Sequence, residues 1–536
     1  MPSDHLGKAL LLLSSAVHVL LAPYTKVEES FTLHAVRDLL LRGVTSEALS
    51  QYDHVEFAGA VPRSFVGPAL LAGLASPFVW AGRQLGLLTT GLEVQILLRL
   101  TLALISALSL VFLSRRVRAA FGAKVGRYFL LISASQFHVP FWMGRTVPNM
   151  IAFPLVQIAL ALLITPATLS DSRSKRSYSK SPLVAFALLT FAAVILRLEL
   201  AALIAPFALE QIARGVVGFV PLAATGILVG VGSLALSVIL DSHFWQRPSG
   251  ELFWPEGASF LFNVVEGKAS DWGTSPFYAY FLALLPRLLL LSLPFALFSL
   301  CLDRRSRRIG IPSLVFVAIM SGLEHKEWRF VAYVVPGLNV CAAAGVRAVG
   351  ALSASRRLRR LALFAIIALN LFFTFLGVVA SRENYPGAQA IRALEELVVS
   401  SGRTGAIGVH VSPHVAMTGA SNFLLYDSPL SSTSSSSSWA WYLPPPSPPP
   451  SIHLVYSKSE SAFLSSPSAF AAAPEAFDYL LVDASAPGYP EIWEQEGDWK
   501  VVKELEEFAG FGKPWRGENV AVKGRKSVGV VERRRG

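Results

Sequence analysis

Apolar residues fill this chain in long runs, and the polar residues collect in the gaps between them. Runs near the length that crosses a bilayer as a helix, about twenty residues, lie at 6–22, 94–114, 128–143, 149–165, 183–198, 200–213, 218–240, 277–300, 310–323, 330–349 and 361–380. A further run, 65–82, is rich in Gly and Pro and reads either as a span or as a helix lying in the membrane surface. Basic residues decide between the two. Arg115, Arg116, Arg118, Lys124 and Arg127 form one cluster, and Arg173, Lys175, Arg176 and Lys180 a second. Arg304, Arg305, Arg307 and Arg308 form a third, and Arg356, Arg357, Arg359 and Arg360 a fourth. Such clusters favour the cytosolic side. With 65–82 in the membrane plane, all four fall on the side of the N-terminus, and about eleven crossings result. The pattern thus predicts an all-α polytopic membrane protein over residues 1–380. A small mixed α/β region, 381–536, follows on the far, lumenal side.

Composition agrees. Hydrophobic residues make up 53% of the 536 positions and charged residues only 15%, with mean hydropathy +0.50; soluble domains run nearer 25% charged. The run 6–22 has no clear small-x-small cleavage site after it and reads as a retained signal anchor. A net charge of +11 does not point to nucleic acid, because the cations cluster in short loops between apolar runs. Cys301 and Cys341 lie in or beside such runs, and no disulfide is expected. In the C-terminal region, 477–483 and 499–503 look like strands. The Ser/Pro insert 431–450 is low-complexity sequence that cannot pack a core.

The chemistry-bearing residues gather in the loops of the far face, chiefly the first loop, 23–93, and the second large loop, 241–276. Pro23-Tyr24-Thr25-Lys26-Val27-Glu28-Glu29-Ser30-Phe31 sets two carboxylates just outside the first span. Glu28, or its neighbour Glu29, has the chemistry to take a proton from a hydroxyl. Thr25 and Glu28 also have the spacing of a helix capping box, opening an amphipathic helix over 27–42. Asp53, His54 and Arg63, with Trp245, Trp254, Glu256 and Trp272, mix aromatic and polar groups as sugar sites do; interfacial anchoring is the other reading. His325, Lys326, Glu327 and Arg329 interrupt an apolar stretch, and Arg145 and Arg197 end other spans. These cations suit a phosphate, or they snorkel to headgroups. No His-x-x-x-His or tight Asp cluster occurs, so no metal is expected. No Gly-rich phosphate loop occurs either, and no cofactor is expected.

Several phrases together resemble the dolichyl-phosphate-mannose-dependent mannosyltransferases of the endoplasmic reticulum, which have the GT-C fold. They are the stretch 23–31, Tyr-Asp-His-Val-Glu-Phe at 52–57, Val-Pro-Arg-Ser-Phe at 61–65, Arg-Thr-Val-Pro-Asn at 145–149, Trp-Gly-Thr-Ser-Pro at 272–276, and His-Lys-Glu-Trp-Arg-Phe at 325–330. Ala58 and Trp328 depart from the family's pattern, where proline and an aliphatic residue are expected. The resemblance implies an inverting, multi-pass enzyme of that membrane with its site in the lumen. Mannose would pass from dolichyl-phosphate-mannose to a 6-hydroxyl of a dolichyl-pyrophosphate-linked Man(7)GlcNAc(2) glycan, forming an α-1,6 bond. Two alternatives stay open: a sibling that makes α-1,2 bonds, and a lipid-linked sugar transporter. A transporter would carry its polar residues near mid-membrane in repeated halves, whereas here they gather at the ends of runs, without a repeat.

Overall fold

An apolar chain surrounded by lipid must bond its N–H and C=O groups to one another, and the local solution is a helix. The computed structural model describes residues 2–166, 168–169, 180–248, 251–352, 355–426, 452–458, 477–495, 499–512 and 522–534. Its regular structure is helical as far as Ser400. Among the described residues, Gly91–Phe121, Phe219–Phe244, Trp328–Leu352 and Arg356–Arg382 are long and apolar enough to cross a bilayer. Tyr280–Leu289 and Ser292–Leu302 make a fifth span if counted together, bent by 106°.

Length and composition therefore qualify fewer spans than the eleven expected. Pro148–Leu163, Ser181–Ile195 and Leu200–Ala213 are apolar but short. At 1.5 Å per residue they reach roughly 21–24 Å, against a hydrocarbon core of about 30 Å. The run 128–143 is broken, ending one helix at Ser135 and starting another at His138. The run 65–82 becomes one helix, Val66–Gln84, unbroken through Pro77; Leu70, Leu74 and Phe78 form an exposed apolar stripe along it.

The basic clusters also differ from expectation, because they lie within helices rather than in loops between them. Arg115, Arg116 and Arg118 close Gly91–Phe121, and the third and fourth clusters open Arg304–Ser321 and Arg356–Arg382. Arginine's apolar stem lets a helix run on while the head group reaches water. Arg305 Nη1 donates to the Ala120 carbonyl (2.7 Å) and Arg347 Nη1 to that of Phe121 (3.0 Å). They cover carbonyls that the end of a helix leaves bare. Arg173, Lys175 and Arg176 lie outside the described residues.

The chain divides into two compact units. One comprises Met1–Val19, Val44–Leu71 and Arg99–Phe375; the other comprises Leu20–Gly43, Ala72–Leu98 and Leu376–Gly536. The first is a helical bundle around buried residues that include Phe129, Phe153, Phe186, Phe316 and Tyr333. Gly345 lets two of its helices touch, since a Cβ there would run into the Phe295 carbonyl. A polar ladder crosses the bundle. Gln136 and Asn339 exchange hydrogen bonds (3.1 and 2.8 Å), and Asn339 Nδ2 also donates to Ser133 Oγ (3.2 Å). Asn370 Nδ2 donates to Ser135 Oγ (3.0 Å).

The second unit carries a five-stranded sheet: β1 (Gly405–Val411), β2 (Ile452–Ser457), β3 (Tyr479–Asp483), β4 (Trp499–Phe511) and β5 (Val522–Arg533), in the order β2-β1-β3-β5-β4. β2, β1 and β3 are parallel, while β5 is antiparallel to β3 and β4. β3 is buried from Tyr479 to Val482, the near-continuous apolar run of a central strand. The two strand-like pieces read from sequence are β3 and the start of β4. The helix Pro386–Ser400 buries Ile391, Leu394 and Val398 and packs on β4 and β5. The insert 431–450 lies outside the described residues.

The ladder carries the first prediction. Asn339→Leu leaves Gln136 and Ser133 without partners and should cost about 1–2 kcal/mol, the range for interhelical hydrogen bonds in membranes. Thermal unfolding of the solubilised protein measures it; an unchanged midpoint would show that the ladder adds nothing to stability.

Candidate active site

In the second unit, the carboxylate pair opens the helix Val27–Arg42, with the bounds read from sequence. The cap is not the expected one. Lys26, not Thr25, is the N-cap, so Glu29 rather than Glu28 is the third helical residue. Glu29 is buried, and its carboxylate accepts the Lys26 backbone N–H (3.2 Å). Glu28 occupies the second helical position and is exposed. There the helix dipole and unsatisfied backbone N–H groups favour its negative charge. The amphipathic pattern is also corrected: from Thr32 to Leu41 nearly every side chain is buried, polar ones included. His34 Nε2 accepts the Asn422 N–H (3.2 Å), and Asp38 accepts from Arg37 (3.3 Å) and Arg42 (3.2 Å).

The approach to this helix is held in place residue by residue. Gln95 Nε2 donates to the Pro23 carbonyl (2.8 Å), and Ser421 Oγ fixes the Gln95 amide in turn (2.6 Å). Arg392 donates to the Tyr24 hydroxyl (3.2 Å), and Lys26 Nζ to Asn384 Oδ1 (3.4 Å). None of Gln95, Arg392, Asn384 and Ser421 was singled out from sequence. Only Gln95 carried a signal there, as an amide beginning an apolar run.

In the first unit, four loops meet in a cluster of buried charge. Arg197 Nε donates to both oxygens of Glu199 (2.8 and 3.0 Å). Asn149 Nδ2 joins Glu199 (2.8 Å) to the Tyr333 hydroxyl (3.0 Å). Glu256 is buried, and its Oε2 accepts the N–H of Leu198 (2.9 Å). Burial raises the Glu256 carboxyl's pKa, against the pull of Arg197 and Arg63. For Arg197 burial works against the charge, but Glu199 and Glu256 outweigh it and hold the guanidinium strongly charged. Burial and the charge of Arg197 push Arg63 down to about 10, with Arg329 adding to this and Glu256 and Glu199 opposing it. Sequence reading grouped Arg63 with sugar contacts and Arg197 with phosphate contacts; the fold places them in one electrostatic neighbourhood. Asn149 and Glu199 stand at the ends of apolar runs beside Arg145 and Arg197, and Arg197 with Glu199 is the local ion pair that their spacing allows; the fold adds Tyr333, which sequence reading did not single out.

The aromatic residues mostly hold loops. Trp245 Nε1 donates to the Arg63 carbonyl (3.0 Å), and Trp254 Nε1 to that of Val194 (2.9 Å). His54 is buried, hydrogen-bonded to the Phe244 carbonyl (2.9 Å), with its ring 4.7 Å from Phe65 and 4.9 Å from Trp245. Asp53 starts the short helix Asp53–Glu56. Arg145 is buried with its guanidinium 4.3 Å from the Phe141 ring centroid. The side chain of Trp272 lies outside the described residues.

The stretch 324–329 clasps a neighbouring turn. Ser275 N–H donates to the Glu324 carbonyl (2.9 Å), and His325 Nδ1 meets the Gly273 carbonyl (3.0 Å). Lys326 Nζ donates to the carbonyls of Ser275 (2.9 Å) and Leu323. Glu327 takes Arg329 on both oxygens (2.6 Å to Oε1) and His325 Nε2 (3.0 Å), while its backbone carbonyl accepts the Tyr280 hydroxyl (3.0 Å). In this arrangement His325 and Lys326 hold the turn 273–275. Among the described residues, no group of three or more His, Cys, Asp or Glu is placed to hold a metal.

Residues 9–409 match the Alg9-like mannosyltransferase family, and the chain belongs to that family. Over 532 residues it is 30% identical to the Drosophila melanogaster Dol-P-Man:Man(7)GlcNAc(2)-PP-Dol alpha-1,6-mannosyltransferase, covering 98% of this chain and 70% of that one. It is 33% identical to the Arabidopsis thaliana protein of the same name, over 77% of this chain and 79% of that one. The fold is similar to that of ArnT from Cupriavidus metallidurans, crystallised with undecaprenyl phosphate: TM-score 0.55 at 13% identity, covering 98% of this chain and 97% of that one. The chain therefore has a GT-C-type fold.

The clasp makes a prediction. Lys326→Met releases the turn 273–275 without removing a charge from the buried cluster, so mannosyl transfer should lose about 10–100-fold in kcat, the scale of a small misplacement near a reacting centre. The donor KM should hold within about twofold, since no ground-state contact is lost. Steady-state kinetics decide; a rise confined to donor KM would make Lys326 a phosphate ligand instead.

Proposed function

We propose that this chain transfers mannose from dolichyl-phosphate-mannose to the dolichyl-pyrophosphate-linked Man(7)GlcNAc(2) oligosaccharide, forming an α-1,6 bond. One observation carries the linkage. Relatives from an insect, a plant and a yeast, at 30–33% identity over 77–98% of the chain, bear that α-1,6 name. GPI alpha-1,2-mannosyltransferase 3 of Homo sapiens matches at 28% over 51% of this chain.

The chemistry needs few groups. The acceptor's 6-hydroxyl oxygen attacks the anomeric carbon of the donor mannose, and its proton passes to Glu28. The bond from that carbon to the phosphate oxygen breaks, and dolichyl phosphate leaves with the electron pair. Attack from the opposite face turns a β donor into an α product. A phosphate leaves as an anion without help from an acid, so one carboxylate suffices where glycosidases use two. Fixed cations stabilise the charge that develops on it. Glu29 holds the helix that presents Glu28. The protein sits in the endoplasmic reticulum membrane as a multi-pass enzyme with about eleven crossings, its site and residues 381–536 in the lumen.

Two measurements test this reading. Loss of a general base costs roughly 10²–10⁴-fold in rate, so Glu28→Gln, with donor and acceptor saturating, should fall in that range. Glu29→Gln should instead lower stability by about 1 kcal/mol, as losing a cap does. If Glu28→Gln keeps near-normal turnover with defined lipid-linked Man(7) acceptor, the base is elsewhere.

Topology is tested separately. Exposed Arg307 and Arg357 should face the cytosol. Arg307→Cys and Arg357→Cys, in a background without Cys301 and Cys341, should react with a membrane-impermeant thiol reagent added to sealed microsomes. Protection of either one reverses the orientation.

A further inference from the structure

The sheet of the second unit runs out into a two-stranded arm. β5 pairs with β3 only over Val528–Glu532, but with β4 as far as Val522, so Glu506–Phe511 and their partners Val522–Lys526 lie beyond β3. A two-stranded ribbon by itself is at best marginally stable in water. Simple alternation would set Phe508 and Phe511 on opposite faces, since they are three residues apart. The register slips by one residue between them: Phe508 pairs with Gly524, Gly510 with Lys523 and Phe511 with Val522. Such a bulge turns the side chains that follow it, and Gly510 takes a φ of 136° there. The two phenyl rings consequently share a face, 5.1 Å apart and edge to face. Val522, directly opposite Phe511, lies on that face as well and is 44% exposed. The bulge therefore gathers three apolar side chains at the end of the arm farthest from β3.

A backbone hydrogen bond fixes the level of that face. Phe508 N–H, on the open edge of β4, donates to the Glu383 carbonyl (2.9 Å). Glu383 follows at once on Arg356–Arg382, a helix long and apolar enough to cross a bilayer. The end of that helix, from Leu376, belongs with the sheet to one compact unit. Its apolar run stops at Ala380. Three residues on, at 1.5 Å each, Glu383 stands roughly 4.5 Å past the hydrocarbon. The headgroup layer on each side is about 5–7 Å thick. A phenylalanine tied to that carbonyl comes to the level of the headgroups. Charge gives the arm no other footing. Lys523, Arg525 and Lys526 on β5 face Glu504, Glu506 and Glu507 on β4. Arg525 Nε donates to Glu507 (2.6 Å), and Lys526 Nζ to Glu504 (2.9 Å). Three cations matched by three carboxylates gain little from an anionic surface, whereas the apolar face gains from any medium that removes it from water.

We propose that the face formed by Phe508, Phe511 and Val522 seats in the lipid surface of the membrane that Arg356–Arg382 spans, so that the sheet is anchored to the bilayer at its β4–β5 end. The occupant of the face is lipid, whatever its headgroup charge. The proposal is independent of the reaction proposed above and of which side of the membrane the span ends on.

The test uses the full-length protein, in a background without Cys301 and Cys341, one copy per nanodisc. The discs are of phosphatidylcholine and include a lipid that carries a nitroxide quencher at its headgroup. Exposed Ala509→Cys takes an environment-sensitive fluorophore. Exposed Lys500→Cys, about 30 Å away along the same strand, is the control. The label at 509 should lose most of its fluorescence to the quencher lipid, and the label at 500 none. No quenching at 509, or equal quenching at both positions, overturns the proposal. Quenching at 509 that appears only when anionic lipid replaces phosphatidylcholine makes the contact electrostatic and overturns it too. Phe508→Ser combined with Phe511→Ser should abolish the quenching at 509; quenching that survives the loss of both rings counts against the apolar seat. Should Ala509→Cys fail to fold, exposed Lys523→Cys on the facing strand reads the same position, and should the double serine variant fail, Val522→Ser alone should weaken the quenching.

Discussion

A charge taken out of water must be matched inside the protein, and in a chain with so few charges that requirement organises the structure. The buried ionic groups are arranged in relays rather than isolated pairs. Glu199 serves Arg197 and Asn149, with the Tyr333 hydroxyl beside it; Asp38 serves Arg37 and Arg42; Glu327 serves His325 and Arg329. Asp38 and Glu327 are matched by residues within four positions in sequence, whereas Glu199 ties together segments that sequence separates, through Asn149 and Tyr333. A shared carboxylate also uses its lone pairs fully, which offsets the cost of its own desolvation better than a single partner would. The uncharged ladder of Gln136, Asn339 and Ser133 follows the same rule with amides and a hydroxyl.

Much of the fold was legible from periodicity. The helices Val27–Arg42 and Leu200–Ala213 have the bounds that the pattern predicts, and β3 and the start of β4 coincide with the strand-like pieces. The misreadings have physical causes. Hydropathy measures apolar length, and a long apolar run is compatible with one straight helix or two bent ones. The run 277–300 turns at Leu290, which takes φ 49°, a conformation no residue-by-residue hydropathy reveals. Basic clusters were assigned to loops because loops are where charge is hydrated. Arginine escapes that logic through its long stem, and Arg305 even uses its charge to close another helix.

The site was legible in its residue types and not in its groupings. Glu28, Glu29, Arg197, Glu256 and the stretch 325–329 all announce themselves as polar residues at the edges of apolar runs. What each one touches depends on loops that converge from 61–65, 194–199, 241–256 and 324–330. Spacing holds no trace of that convergence. Lys326, for instance, donates to the carbonyl of Ser275, 51 positions away in sequence.

The adjacency of Glu28 and Glu29 gains a reason from the cap. Successive residues on a helix diverge by about 100°, so two neighbouring carboxylates cannot serve one purpose, and here they are divided by burial. Glu29 turns inward and accepts the N-cap N–H, which fixes where the helix begins. Glu28 is thereby carried outward at the second helical position, with its backbone already rigid. Glu29 thus spends its carboxylate on the backbone, and Glu28, one residue before it, is not the residue that caps the helix. The buried amide of Gln95, holding Pro23 from behind, extends the same arrangement one turn further back, to the segment from which the helix must start.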